Sequence, residues 1–320
     1  MPISVLICCY NGERFLRETL DSVLAQSLPP LEVIVVDDGS TDTSAEIARS
    51  YGEPVRVISQ TNRGLPASRN VAIQAARGRY LIFIDADDLI HPTSLERLHA
   101  AIESRDDVVA IMGFVPFGQA AGPAPAEQLY DFEDFFPAIL YGNFGPQHNR
   151  LVSKELALRA GCFDPTMFYF EDWLFWCRVA LCGARLAPVS FVGAYYRRHD
   201  ATMSDTAPSI AFIRGHVRVM EELGEAILER PDLLNQWSQH TFWCAWTALH
   251  RARQASVPWR ELVRLRRVLR EIVRRGSPEL RRSRLAKMMD IIGVRAAESL
   301  RNLTGRLAGL SDRKEPVAHP

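Results

Sequence analysis

Short apolar runs alternate with helical stripes along the first 115 residues. Ile3–Cys9, Leu31–Val36, Val55–Ile58, Tyr80–Ile84 and Val108–Val115 are rich in Val and Ile, the pattern of strands buried on both faces. Between them Phe15, Leu16, Thr19, Leu20, Val23 and Leu24 recur at helical spacing, and Thr41–Ser50 and Ala67–Ala76 supply two further helical segments. Strand, helix and strand in this repeat predict an α/β fold: a mostly parallel sheet flanked by helices, with right-handed crossovers.

Residues 116–129 carry three Pro and two Gly and read as a loop. A less regular α+β stretch follows to about residue 200 and closes on the strand-like Val189–Tyr196. From about 207 the pattern is helical only. Leu262, Leu265, Leu269 and Ile272 make one stripe; Leu285, Met289, Ile292, Ala296, Leu300, Leu303 and Leu307 make another. The expected organisation is an α/β domain over 1–205, a helical C-terminal extension over 206–310 and a flexible tail over 311–320.

With 320 residues, 47% hydrophobic and 24% charged, the chain has the composition of a globular protein rather than a disordered one. Its formal net charge of zero conceals a segregation. Residues 1–110 hold 16 acidic and 10 basic side chains, whereas residues 251–285 hold 12 Arg against Glu261, Glu271 and Glu279. The six cysteines, at 8, 9, 162, 177, 182 and 244, form no CxxC pair and are expected as buried free thiols of a reducing compartment. No apolar run approaches the ~20 residues that span a bilayer, and no secretory leader pattern is evident. The expected location is cytoplasmic, with attachment to the inner face of the cell membrane as the variant.

In open parallel sheets ligands bind beyond the carboxyl ends of the strands. There the chain places Tyr10-Asn11-Gly12, Asp37-Asp38-Gly39-Ser40-Thr41-Asp42 and Asp85-Ala86-Asp87-Asp88. Each has a plain reading: Asp-Gly-Ser is a turn, Ser40 or Thr41 caps the next helix, and Asp88 caps a helix near Pro92 from a solvated loop. Yet three carboxylates within four residues repel unless a cation lies between them, and Mg²⁺ or Mn²⁺ takes such oxygen ligands together with substrate phosphates. Neither GxGxxG nor a Walker A sequence is present. A bound nucleotide would therefore need acidic side chains for its base and ribose and a metal for its phosphates. Glu171 and Asp172 suit a helix N-terminus for dipole reasons alone, but a carboxylate beside Trp173, Phe175 and Trp176 is also a good base. His199 lies in a charged stretch, and Arg197 or Arg198 could fork onto a diphosphate.

Tyr10-Asn11, Asp37-Asp38-Gly39-Ser40, Asn62-x-Gly64-x-x-x-x-Arg69-Asn70 and Asp85-x-Asp87-Asp88 occur in that order, followed by Glu171-Asp172-Trp173 and Tyr196-Arg197-x-His199. Together, over roughly residues 1–205, they resemble the family 2 glycosyltransferases, inverting enzymes of the GT-A fold. The resemblance implies that Asp38 meets the base and ribose with Tyr10 and Asn11 nearby. It implies that Asn62 and Arg69 line the donor site. Asp85-Ala86-Asp87 would be the DxD-type element, with Asp87 nearest a Mn²⁺ or Mg²⁺ ion, Asp85 beside it and His199 helping to hold metal or diphosphate. Asp172, with Glu171 beside it, would be the general base. The family commonly has Pro before its Tyr-Asn, where this chain has Cys9. The implied donor is a nucleotide sugar, UDP-linked by default, and the implied acceptor a saccharide or lipid-linked saccharide. The rivals are a nucleotidylyltransferase, whose Gly-rich basic loop Asn11–Arg17 does not supply, and a non-catalytic sugar-nucleotide-binding protein. The Arg-rich helices read as a solvated face or as a peripheral contact with anionic lipid. Nucleic acid is not expected, since no base-reading motif accompanies the charge.

Overall fold

Four of the apolar runs lie side by side in a parallel block. The computed structural model describes residues 3–118, 134–140, 142–143, 145–200 and 209–228, with isolated positions beyond. In it β1 (Ile3–Cys9), β2 (Glu32–Asp37), β3 (Val55–Ser59) and β4 (Tyr80–Asp85) pair in the order β3-β2-β1-β4. Every residue of β1 and β2 is buried, which is why these runs show no alternation of polar and apolar positions. The connecting helices are α1 (Leu16–Leu24), α2 (Ser44–Arg49) and α3 (Leu65–Ala75), with α4 (Ser94–Ile102) following β4. Helix α1 buries Leu16, Thr19, Leu20 and Val23, the stripe its spacing predicts, and Leu16, Leu20 and Val23 join Val5, Ile7, Val33, Ile82 and Leu98 in one core.

The second half of the sheet is mixed. Strands β5 (Leu89–Ile90), β6 (Val108–Phe117), β7 (Arg150–Ser153) and β8 (Arg185–Arg197) continue it in the order β4-β7-β6-β8-β5. Strand β7 runs antiparallel to β4 and β6, β8 is parallel to β6, and β5 is antiparallel to β8. Neither β5 nor β7 is long enough to carry a readable period, and β7 opens on a charged residue, Arg150. Strand β6 takes in the first two residues of the expected loop, and β8 begins at Arg185 rather than Val189. Helices α5 (Phe135–Ile139), α6 (Lys154–Arg159) and α7 (Glu171–Leu181) flank this part. The helix caps differ from expectation: Thr43 precedes α2 and Thr93 precedes α4. Cys8, Cys9, Cys162, Cys177 and Cys182 are free thiols, of which Cys162 and Cys182 are half-buried rather than buried.

The chain divides into two compact units, Met1–Thr206 and Ala207–Pro320. In the second, α8 (Ser209–Leu228) buries Val217, Met220, Leu223 and Ile227, and Arg264 pairs with Glu221 at 2.6 Å. The stripes at Leu262–Ile272 and Leu285–Leu307, positions 119–129 of the expected loop, Cys244 and the tail 311–320 lie outside the described residues. Among the described residues no helix is long and apolar enough to cross a membrane.

One buried charge fastens the amino edge of the parallel block. Glu32, 1% exposed, accepts hydrogen bonds from Ser4 Oγ at 2.8 Å, Arg77 N at 2.6 Å, Arg77 Nε at 3.0 Å and Arg56 Nη2 at 3.0 Å. Burial works to raise its pKa, but the Arg77 amide, Ser4 and Arg56 outweigh it and hold the carboxyl below its ordinary value. The stabilisation is therefore complete above the ordinary carboxylate pKa and is lost as pH falls through the lowered, folded-state value. Glu32→Ala, which strands these donors, is expected to cost about 1–3 kcal/mol in urea denaturation at neutral pH. The difference from wild type should narrow as the solution is acidified.

Candidate active site

The loops that leave β1 and β2 are stapled to each other. Asn11, at a left-handed φ of 51°, donates its backbone N–H to Ser40 Oγ at 3.0 Å and accepts from Thr41 N at 2.8 Å. Ser40 and Thr41 thus serve this junction rather than a helix cap. The Gly12 N–H reaches Ser44 Oγ at 2.8 Å, and a Cβ at Gly12 would stand 2.8 Å from Cys9 Sγ. Tyr10 is 54% exposed at this rim.

Asp38 is buried, and both its oxygens accept hydrogen bonds from the protein. Oδ1 takes Gln60 Nε2 at 2.7 Å and Arg63 N at 2.9 Å, and Oδ2 takes Gly64 N at 2.8 Å. What the geometry gives Asp38 is the shaping of the segment that carries the exposed Asn62 into α3. Gly39 permits that approach: its φ is 77°, and a Cβ there would lie 2.9 Å from Asn62 N.

Arg69, buried on α3, is the hub of the site. Its Nη2 donates to Asp85 Oδ1 at 2.9 Å and its Nη1 to Glu171 Oε1 at 3.0 Å, and the guanidinium lies 5.2 Å from the centre of the Phe163 ring. Burial works to lower the Arg69 pKa, but Asp85 and Glu171 hold it above the ordinary value. On the other side, burial and the neighbouring Asp172 push the Glu171 carboxyl up to about 7, with Arg69 acting against the rise. Two segments distant in sequence, the end of β4 and the start of α7, are drawn together by this one fork.

Beyond Asp85 the acidic run splits. Asp87 Oδ2 lies 2.9 Å from His199 Nε2. The Ala86 carbonyl accepts from Thr19 Oγ1 at 3.0 Å. Asp88 is fully buried, accepting Arg197 N–H at 2.7 Å and lying 3.2 Å from His148 Nδ1. It is therefore neither a solvated carboxylate nor the cap of α4. Burial pushes it up to about 6, with His148 opposing. Arg197 is occupied too. Its Nε donates to the Asp87 carbonyl at 2.6 Å and its Nη2 to Glu18 at 2.7 Å, while Phe15 and Phe117 each lie 4.5 Å from the guanidinium. It fastens the end of β8, which delivers His199.

Helix α7 opens on Phe170 in the left-handed region, φ 65°, with Glu171 and Asp172 in its first turn. Asp172 Oδ2 accepts from Asn143 Nδ2 at 2.6 Å, and Oδ1 accepts the Trp173 N–H at 2.6 Å. Trp173, Phe175 and Trp176 are core residues: Trp173 Nε1 donates to the Ile139 carbonyl at 2.8 Å and Trp176 Nε1 to Gln147 at 3.0 Å. They are buried away from any exposed stacking surface.

The expected residues thus gather as two groups, Arg69 with Asp85 and Glu171, and Asp87 with His199. Among the described residues no three His, Cys, Asp or Glu side chains converge as a metal-binding group. The Asp87–His199 pair is nonetheless a fitting partial donor set. A carboxylate and an imidazole suit Mn²⁺ or Mg²⁺ when phosphate oxygens and water complete the shell. Asn143 and Arg150 were not legible as site residues: one sits in a Gly-flanked stretch that reads as a turn, the other at the head of an apolar run.

Residues 4–171 match the family model described as glycosyl transferase family 2. A cholesterol galactosyltransferase from Borreliella burgdorferi is 28% identical over 253 residues, covering 73% of this chain and 69% of its own. An uncharacterized glycosyltransferase from Rickettsia typhi is 30% identical over 220 residues, 64% of this chain and 66% of its own. S. aureus TarS shares the fold, with a TM-score of 0.69 at 21% identity over 93% of this chain and 53% of the TarS chain. Its 1–349 fragment in complex with UDP-GlcNAc superposes with a TM-score of 0.65, covering 88% of that chain.

Proposed function

The chain belongs to glycosyl transferase family 2, and from that premise we propose an inverting, single-displacement sugar transfer from a UDP-linked donor to an acceptor hydroxyl. The observation that carries the reading is the Arg69 fork, 2.9 Å from Asp85 and 3.0 Å from Glu171. On this reading their sequence neighbours Asp87 and Asp172 would flank the reacting groups. Tyr10, Asn11, Asp38 and Asn62 frame the nucleotide end, and Asp85-Ala86-Asp87 borders the diphosphate. Asp172 takes the proton of the acceptor hydroxyl as its oxygen attacks the anomeric carbon, opposite the departing diphosphate. Asp87 and His199 would hold a Mn²⁺ or Mg²⁺ ion, which neutralises charge on a leaving diphosphate.

Catalysis is assigned to residues 1–205. The Arg-rich C-terminal extension, expected over 206–310, would make peripheral contact with the inner face of the cell membrane, in keeping with a saccharide or lipid-linked acceptor in surface polysaccharide or glycolipid assembly. The relative that acts on cholesterol supports a lipid-borne hydroxyl.

The deciding measurement is release of nucleoside diphosphate from a panel of nucleotide sugars with Mn²⁺ or Mg²⁺ present. Turnover should fall to background in EDTA and return on adding Mn²⁺. Undiminished turnover in EDTA would remove the metal from the reading, and release of pyrophosphate would point to nucleotidyl transfer instead.

A further inference from the structure

Behind Asp172 a hydrogen-bonded relay runs into the core. Asn143 Nδ2 donates to Asp172 Oδ2 at 2.6 Å, and Arg150 Nη2 donates to Asn143 Oδ1 at 2.9 Å. Arg150 itself is fully buried on β7, its guanidinium 4.9 Å from the centre of the Trp176 ring. A guanidinium has donors and no acceptor. It therefore dictates which way the Asn143 amide faces: the oxygen toward Arg150, the NH₂ toward Asp172. The other Asp172 oxygen is held by the Trp173 N–H. Two donors on two different oxygens fix the rotation of the carboxylate. Since a carboxylate offers about four lone-pair sites, capacity remains for an incoming hydroxyl.

We propose that Asn143 is a positioning residue for the transfer: its amide, oriented by Arg150, sets the rotation at which the Asp172 carboxylate meets the acceptor hydroxyl. The proposal rests on the reading of Asp172 as the base. It assigns a function to a side chain for which neither composition nor motif gives a reason.

Two variants of the full chain test it. Asn143→Ala removes the donor and the acceptor together. Asn143→Asp keeps the size of the side chain and the oxygen that Arg150 bonds, and replaces the donor with a second oxygen. It also sets two carboxylates against each other, where like charges repel. UDP, titrated calorimetrically, should bind both variants within about twofold of wild type, as expected for groups on the acceptor side. With nucleotide-sugar donors and added saccharide acceptors, kcat should fall roughly 10- to 100-fold in Asn143→Ala, as for loss of a hydrogen bond to a charged group. It should fall at least as far in Asn143→Asp, with the donor KM unchanged in both.

A merely structural role reverses that order. Asp pairs with Arg150 more strongly than Asn does, so Asn143→Asp would then keep wild-type turnover. That result, or an unchanged kcat in Asn143→Ala, overturns the proposal. Should Asn143→Ala fail to fold, Asn143→Leu takes its place, since it keeps the size of the side chain, carries neither donor nor acceptor and adds no charge. Failure of the base reading is distinguishable, because it would leave Asp172→Asn active. An inactive Asp172→Asn beside an active Asn143→Asp removes only the role of Asn143.

Discussion

Asp172→Asn is expected to lower the transfer rate by roughly 10²- to 10⁴-fold, the contribution of a positioned general base, while UDP affinity stays near wild type. The amide has the shape of the carboxylate and can still accept the Trp173 N–H, which lies at 2.6 Å in the native chain. What it cannot do is take a proton from the acceptor hydroxyl at neutral pH. Glu171 is no substitute, although it is the adjacent residue. Its side chain is buried and faces Arg69 at 3.0 Å, so it is committed to the ion pair. The measurement is nucleoside-diphosphate release under saturating donor and acceptor, paired with calorimetric titration of UDP. Wild-type turnover would take the base role from Asp172.

Arg69→Met is expected to destabilise the fold by about 3–5 kcal/mol, the cost of removing one partner from a buried ion pair, and to abolish transfer with it. Met fills much of the volume beside Phe163 but returns nothing to Asp85 or Glu171. Glu171, already raised by burial, would be left without its counter-charge. Arg69→Lys should fall between the two. It keeps the charge, but a single ammonium does not reproduce a planar fork that reaches two carboxylates at once. Adding Glu171→Gln to Arg69→Met should recover part of the loss, since the stranded carboxylate is then gone. Urea denaturation of the four proteins measures this directly. A loss below about 1 kcal/mol in Arg69→Met, the range of exposed ion pairs, would mean that the fork does not organise the site.

Much of this was legible from residue order alone, for identifiable reasons. Strands β1 to β4 announce themselves because burial on both faces leaves long runs of Val and Ile. Strands β5 and β7 do not, since two and four residues cannot establish a period and β7 opens on a buried Arg. The acidic edges were visible by residue type, but their bonding was not. Asp88 has the local sequence of a helix cap and is instead sealed beneath Arg197 and His148. Arg197 has the chemistry to grip a phosphate and is spent between Phe15 and Phe117. The Arg69–Glu171 bond joins residues 102 positions apart, a pairing set by tertiary placement that no local pattern encodes. Asn143 escapes notice because a Gly-flanked Asn is ordinary turn chemistry.

The Arg69 fork takes one carboxylate from each acidic motif, Asp85 from the first and Glu171 from the second, and bonds to neither Asp87 nor Asp172. On the proposed assignment each motif is thus divided between an anchor and a working member. Such a division separates inheritance of the scaffold from inheritance of the reaction. On the proposed assignment a lineage could alter Asp87 or Asp172, and with them metal or acceptor use, while the anchors keep the end of β4 joined to the start of α7. Changes at the anchors leave no such freedom, because they release the end of β4 from the start of α7.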